Sequence, residues 1–548
     1  MRVCLFVTLL FAAVVRAAPV PSPAPSSPPA GKAETAENGE AFVFNLHMAV
    51  DLVAGSYVRP VARAELLQAA LTGLYEAARR PVPRNLRRRI DDAEKAAALA
   101  LAAEQASATP APLVPALAPA RRGAPDDRAL LDLIRAVRAE IGKAEGLEGE
   151  DPLRICCQAM LRSLDPYSGI ISATEQRKTI GTQSERDGFG LEVHHGTAGR
   201  LVIKDVLPGS PAQRAGLRPG DEITHVHDSD DRERKLAESL DLLNGRVPLI
   251  KPDSGAFGTP EPIRMTFRRP PAGTERSATL DWRSFRPESV FGVTRRDDNS
   301  WNYWLDAERK IAHLRLGNLV ENTPDDLYEI VSELRRGGLR GLILDLRWCP
   351  GGSLNGSRQS AEWFLGEGVI ATVRYRNRPE DVYRSTGEDK LRDFPMVVLI
   401  NGDTVGGGEL IAAALQDHRR AVLVGQRTRG KGNVQTISPL GTLGLKVTSG
   451  TLVRPSGKNL HRFPDSKPSD DWGVTPDAGR DFRISPELGR ALQKWWEQQT
   501  LRPGSSAERL PLDDPLIDPQ RNAAMEVLTD LMNRRVSAKE DNGGRPRQ

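Results

Sequence analysis

The groups of this chain that could act on a carbonyl or an anion sit in a few short, glycine-rich stretches. Gly188-Phe189-Gly190-Leu191 is one, and its glycines would let successive backbone N–H groups point at a carboxylate. Trp348-Cys349-Pro350-Gly351-Gly352 is a second, with a thiol beside a tight turn. Thr428-Arg429-Gly430-Lys431-Gly432-Asn433-Val434-Gln435 holds an amine between glycines and a carboxamide four residues on. That spacing shares one face if the segment is helical; otherwise the two meet through a turn. Alone, Lys431 reads as a solvated loop lysine. Asn401-Gly402-Asp403-Thr404-Val405-Gly406-Gly407-Gly408-Glu409-Leu410-Ile411 adds a hydroxyl and a carboxylate. His418 and the pair His194/His195 lack metal-ligand spacing, so no metal site is expected.

The elements that must carry these groups follow from composition and periodicity. At 548 residues the chain is long enough for three or four domains. Lys plus Arg number 76 against 72 Asp plus Glu, leaving +4, too little to point to nucleic acid as a partner. Of four cysteines, Cys4 lies in the first residues; Cys156, Cys157 and Cys349 remain, an odd number that excludes a disulfide scaffold or a cysteine zinc site. Arg2 and the apolar run Val3–Val15 read as an export signal over residues 1–17, with an uncleaved anchor as the alternative. Export places the chain in a periplasmic or extracellular setting. Residues 18–39 read as a Pro/Ala-rich linker. Residues 40–180 read as a helical region with an Ala-rich insertion, in which Asp126–Met160 also reads as helical.

After Gly181 the texture is β-like, with runs at Leu201–Val206, Ile263–Phe267 and Ala278–Trp282. From Lys310 short apolar runs alternate with helical segments: Ile311–Leu316, Leu342–Leu346 and Val397–Ile400 precede helices over Pro324–Arg336, Ser357–Leu365 and Gly408–Leu415. Strand-then-helix alternation predicts an α/β layered core with parallel crossovers over residues 288–480. Residues 486–548 read as a helical extension containing Leu488–Gln499 and Asn522–Val536, with a polar tail.

Ser210-Pro211-Ala212 through Gly220-Asp221-Glu222-Ile223, with Gly188–Leu191 upstream, resembles a PDZ domain over residues 187–282. The resemblance implies capture of a polypeptide C-terminus: the loop Gly188, Phe189, Gly190 and Leu191 holds the carboxylate, Leu191 and Val193 wall the terminal side chain, and the next strand edge pairs with the peptide. Its pocket helix is placed near Arg234–Leu243, with a possible insertion near Pro248–Gly258.

Blocks flanking that domain resemble, in order, the tail-specific or C-terminal processing serine peptidases of the S41 type. They are Leu164-Asp165-Pro166-Tyr167-Ser168, Ile311-Ala312-His313-Leu314-Arg315-Leu316, Leu344–Gly352, Val424–Gln435, Arg454-Pro455-Ser456-Gly457-Lys458 and Gly473-Val474-Thr475-Pro476-Asp477; Ser56-Tyr57-Val58 with Glu65–Leu74 resembles the N-terminal helical segment. The resemblance implies an α/β peptidase core with an inserted β-rich PDZ domain and helical N- and C-terminal regions. It implies Lys431 as the base, its pKa lowered by burial so that a neutral amine can take the proton, and Gln435 as its partner. Gly351, Gly352 and Gly407 become the oxyanion donors. It implies no cofactor, unstructured polypeptide C-termini as partners, and a homo-oligomer through the terminal helices.

The nucleophile breaks the pattern. The family's serine stands three residues before a glutamate, and three before Glu409 is Gly406, which has no side chain. Thr404 is the alternative hydroxyl, two residues away. Cys349 replaces a usual asparagine and reads as a small buried hydrophobe, with a displaced thiol nucleophile as the alternative. The expectation is therefore a peptidase-family chain of doubtful hydrolysis, with a non-catalytic relative that binds exported polypeptides as the alternative.

Overall fold

The structure is a computed structural model that describes residues 34–107, 127–142, 147, 151–172, 185–196, 200–245, 261–270, 273–296, 298–387, 391–441, 443–501 and 518–543. The expected signal, most of the linker and the insertion near 248–258 lie outside the described residues. Among the described residues no helix is long and apolar enough to cross a membrane.

The N-terminal region is a helical bundle of α1 (Glu34–Ser56), α2 (Arg63–Ala77), α3 (Leu86–Ser107), α4 (Arg128–Ile141) and α5 (Asp151–Arg162). Leu130, Leu133, Ile134, Val137 and Ile141 recur at helical spacing on α4 and are all buried, which is why this segment packs as a helix. The stretch Asp126–Met160 holds α4 and most of α5. Gly142 ends α4 with φ +62, a conformation glycine takes without strain. A strand at the end of the bundle, β1 (Gly169–Ser172), corrects the all-helical reading; it pairs antiparallel with the core, Gly169 opposite Lys446.

The middle domain holds β2 (Leu191–His195), β3 (Leu201–Val206), the short helix α6 (Pro211–Arg214), β4 (Glu222–His227), α7 (Leu236–Leu243), β5 (Ile263–Arg268) and β6 (Glu275–Leu280). Its strands lie in the order β2-β3-β4-β5-β6, leaving β2 on an edge. On β5, Ile263, Met265 and Phe267 alternate inward, the period-2 pattern of a half-buried strand.

The core begins with β7 (Ile311–Leu316), α8 (Thr323–Arg336), β8 (Gly341–Asp345) and α9 (Leu354–Glu362). It continues with β9 (Gly368–Tyr375), β10 (Asp381–Ser385), β11 (Met396–Ile400), α10 (Gly407–Asp417), β12 (Val422–Gly425), β13 (Asn433–Leu440) and β14 (Leu443–Val453). Strands β7, β8, β11 and β12 run parallel in that order within a six-stranded sheet, and the short strands Val290–Phe291 and Trp304–Asp306 pair antiparallel with β7. Both faces are covered, so the parallel strands are largely apolar rather than alternating, with His313, Arg315 and Asp345 as the exceptions. Ala312, Leu314, Leu342, Leu344 and Val398 pack toward α8–α10. Ile311, Ile343, Val397, Leu399 and Val424 pack against the terminal helix α12 (Pro519–Gly543). A second, antiparallel sheet runs β1-β14-β9-β10 with β13 on β14. The helix α11 (Pro486–Leu501) precedes α12 in the chain and brings Trp496 against His313 and Arg315.

At the end of β8 a wholly buried ionic cluster anchors α12. Arg347 donates to both oxygens of Asp345 and to both of Asp518, the residue before α12. His313 adds a 3.2 Å hydrogen bond to Asp345. Burial works to raise the Asp345 carboxyl; the Arg347 guanidinium outweighs it and holds the group well below its usual range.

Candidate active site

In parallel sheets, ligand clefts form beyond the carboxyl ends of the strands. The turns after β8 and β11 meet there. Leu346 N–H donates to Leu399 (2.9 Å), Thr404 Oγ1 to the Leu346 carbonyl (2.8 Å), Val405 N–H to the Cys349 carbonyl (2.9 Å) and Trp348 N–H to Asn401 Oδ1 (3.1 Å). These bonds bring Gly351, Gly352, Gly406 and Gly407 together. Gly351 has φ +82 and Gly352 φ +144. A Cβ on Gly351 would lie 2.8 Å from the Val405 carbonyl and 2.9 Å from Gly407 N; one on Gly352 would lie 2.0 Å from the Leu319 carbonyl. Only glycine fits, because backbone passes this close. Gly407 opens α10, so its N–H belongs to the helix turn that lacks intrahelical acceptors.

Gly406 occupies the strand-to-helix turn itself, at φ +55 and ψ −108. Strained turns of this kind present the nucleophile in other hydrolases. Here the turn carries no side chain. Space for one exists: a Cβ would meet nothing nearer than the Lys431 carbonyl at 3.9 Å and Gly351 Cα at 4.0 Å.

Glu409, one turn into α10, ties this turn to the lysine loop. Its buried carboxylate accepts from Gly406 N–H (2.9 Å), Lys431 N–H (2.8 Å), Gly430 N–H (2.6 Å) and Thr428 Oγ1 (2.5 Å). Sequence reasoning used Glu409 only to align the segment; its place in the first turn of a helix, where a carboxylate can reach back to free N–H groups, was the available signal. Lys431 is half-buried. Its Nζ has no hydrogen bond or ion pair among the described residues and lies 5.5 Å from the centre of the Tyr167 ring. Burial lowers its pKa, the nearby Lys446 charge lowers it further, and Glu409 opposes both.

Gln435 stands on β13, not on a helix. Its Nε2 donates to the Tyr167 carbonyl at 2.6 Å, and no hydrogen bond joins it to Lys431. The Asp165–Ser168 turn therefore belongs to the site's wall: Asp165 Oδ1 accepts from Tyr167 N–H (2.7 Å) and Ser168 N–H (2.8 Å). His461, buried, stands edge-on to Tyr167 at 6.1 Å.

The other two candidate nucleophiles are committed elsewhere. Besides donating to Leu346, the buried Thr404 hydroxyl accepts from Asn401 N–H (3.0 Å). Cys349 is buried, its Sγ 3.1 Å from the Gly317 carbonyl, and burial pushes the thiol up to about 12, so it is not a thiolate at neutral pH. Cys156 and Cys157 are buried free thiols. His194 and His195 are exposed, and the His418 ring bonds the Val369 carbonyl. One set of potential metal ligands, His47, Asp51 and Asp127, is an ion-pair cluster closed by Arg63.

In the middle domain Gly188 has φ +131 and Gly190 φ +77. The Phe189 side chain is fully buried, edge-on to Trp282 at 5.3 Å, so it offers the loop backbone and packing rather than a contact surface. A cavity of about 760 Å³ separates this domain from the core. It is lined by Leu207 and Pro208 on one side, Val320 and Trp348 beside the Gly351 turn, and Trp496 on α11.

Comparison with known proteins agrees with this layout. The profile of peptidase family S41 matches residues 310–479, and that of the PDZ domain matches residues 179–243. The chain is 33% identical over 392 residues to a carboxy-terminal-processing protease of Bartonella bacilliformis, covering 67% of this chain and 81% of that protein. It is 28% identical over 326 residues to a carboxyl-terminal-processing protease of Synechocystis sp., covering 58% and 69%. A solved structure of a photosystem II D1 C-terminal processing protease aligns over 82% of this chain and 94% of that one, at 21% identity and a TM-score of 0.39.

Proposed function

The chain belongs to peptidase family S41, the family of the carboxy-terminal-processing proteases, and from that premise we propose that it captures the C-termini of exported, unstructured polypeptides while hydrolysing them weakly or not at all. The observation that carries the second half is position 406. The glycine turn, the helix N-terminus and the backbone of Lys431 meet at a turn with no hydroxyl, and the two other candidate nucleophiles, Thr404 and Cys349, face backbone carbonyls. Losing the nucleophile of a serine-type site costs on the order of 10⁶ in turnover.

The first half is supported by the glycine loop at 188–191 and by the cavity that links its domain to the Gly351 turn. A chain entering from the middle domain would pass along that cavity toward Gly406. Export rests on the N-terminal sequence.

The test compares the protein with K431A on a fluorogenic, unstructured peptide with an apolar C-terminus. Equal, background-level turnover is expected. Turnover that depends on Lys431 would overturn the reading of a silent site. Binding is checked separately, with the same peptide carrying a free or an amidated C-terminus; equal affinity would remove the carboxylate role of Gly188–Leu191.

A further inference from the structure

The peptide-pairing edge of the middle domain is already engaged by a side chain of the chain itself. Val193, on the edge strand β2, donates its N–H to Asn244 Oδ1 at 2.8 Å, and Asn244 Nδ2 donates back to the Val193 carbonyl at 3.2 Å. A carboxamide presents one acceptor and one donor in a plane, as a peptide group does. The pair is therefore the bond pattern that an added β-strand would make with the same residue.

Packing around this contact is closed as well. Asn244 caps α7, with its own N–H on the Leu240 carbonyl. The next residue, Gly245, places its Cα 3.5 Å from where a Cβ on Gly188 would stand, so the end of α7 rests on the glycine loop. Leu191 and Val193, the expected walls of the terminal side-chain pocket, are buried in one cluster with Leu242 and Leu243 of α7. An incoming C-terminus must displace the carboxamide and shift α7 off β2.

We propose that Asn244 is a clasp that occupies the peptide edge at Val193, so that only an extended peptide bringing both main-chain hydrogen bonds and a C-terminal carboxylate opens the groove. Asn244 then determines which ligands enter: an internal chain segment, or a peptide blocked at its C-terminus, supplies the edge bonds but not the carboxylate that compensates for moving α7. This rests on the reading that the domain captures C-termini and specifies how that capture is controlled.

The experiment uses the full chain and a fluorescein-labelled ten-residue peptide ending in Ala-Leu-Ala with a free carboxylate. Removing two hydrogen bonds that compete with the ligand is expected to make N244A bind about tenfold more tightly than the wild type. Melting curves verify that N244A is folded. In parallel, wild-type protein labelled with ¹⁵N-asparagine is titrated with the same peptide, and the Asn244 carboxamide signals are identified by their loss in N244A. They are expected to move to solvent-like positions at saturation, a readout that holds even if N244A is unstable. Wild-type binding that N244A matches or weakens, or carboxamide signals unmoved at saturation, overturns the clasp and leaves capture standing. Binding by neither protein overturns capture and the clasp together.

Discussion

Restoring a hydroxyl at position 406 tests the whole site in one substitution. In G406S the new side chain would project from a turn at φ +55, ψ −108 into space whose nearest atoms are 3.9 and 4.0 Å from its Cβ. Sterically it is accommodated; conformationally it costs about 1–3 kcal/mol. For a core of this size that lowers the melting temperature by about 2–12 °C. G406A bears the same strain and lacks the oxygen, so it is the reference for both stability and rate. A positioned base alone is worth about 10²–10⁴-fold. We therefore expect G406S to cleave a fluorogenic apolar-tailed peptide at least about a hundredfold faster than G406A. Its rate should rise with pH and level off below the ordinary lysine value of 10.5, since burial lowers the Lys431 pKa and the neutral amine is the base. G406S combined with K431A should return to the G406A rate. If folded G406S matches G406A across the pH range, then Lys431 or the Gly351 turn does not act on position 406, and the geometric argument fails.

Three further outcomes follow from the same contacts. E409Q replaces a carboxylate that accepts four hydrogen bonds with an amide that has one acceptor oxygen; about 2–4 kcal/mol of stability should be lost in urea unfolding, and a loss below about 1 kcal/mol would deny Glu409 its role in holding the two loops. His461 is held neutral by burial, its pKa brought down from 6.5 to about 4, so the unfolded chain binds a proton that the folded one does not as pH falls through that window. Stability should drop by about 3 kcal/mol from this residue between pH 6.5 and 4, and H461F should flatten the urea-midpoint profile there; parallel profiles would refute it. R347M leaves Asp345 and Asp518 buried without their cation, which costs about 3–5 kcal/mol and should free α12 for early proteolytic cleavage; an unchanged digestion pattern would show that α12 is held by its apolar face alone.

Local signals were legible where one residue's pattern decides its element. The run Ile311–Leu316, apolar but for His313 and Arg315, is covered on both faces of its sheet, and it is a strand over those residues. The pocket helix expected near Arg234–Leu243 runs Leu236–Leu243. What could not be read was set by long-range pairing. Gly169–Ser172 is too short and too bland to announce a strand, and it becomes one because β14 offers an edge. Gln435 four residues after Lys431 invites a helical face, but pairing with Thr448 draws it into β13 and toward Tyr167. Asn244 gave no signal as the last polar residue of a helix; its meaning depends on the edge of β2 lying beside it.

The site also separates what the fold needs from what chemistry needs. Glycine at 406 relieves the strain that a serine would impose, so the missing hydroxyl makes the turn more stable. Glu409, Thr404 and Asn401 are fully used in holding backbone, and their presence would be explained by folding alone. Lys431 is different. Its backbone N–H is part of the Glu409 network, but its amine has no hydrogen-bond or ion-pair partner among the described residues, and holding it half-buried costs stability wherever it stays protonated. Because its pKa is lowered on folding, that cost is present below the folded value and disappears as pH rises through it toward 10.5. K431M should therefore be more stable than the wild type at neutral pH and lose that advantage as the pH rises through that window. If K431M is instead destabilised at neutral pH, the amine serves the fold, and its half-buried position ceases to argue for a ligand or a reaction nearby.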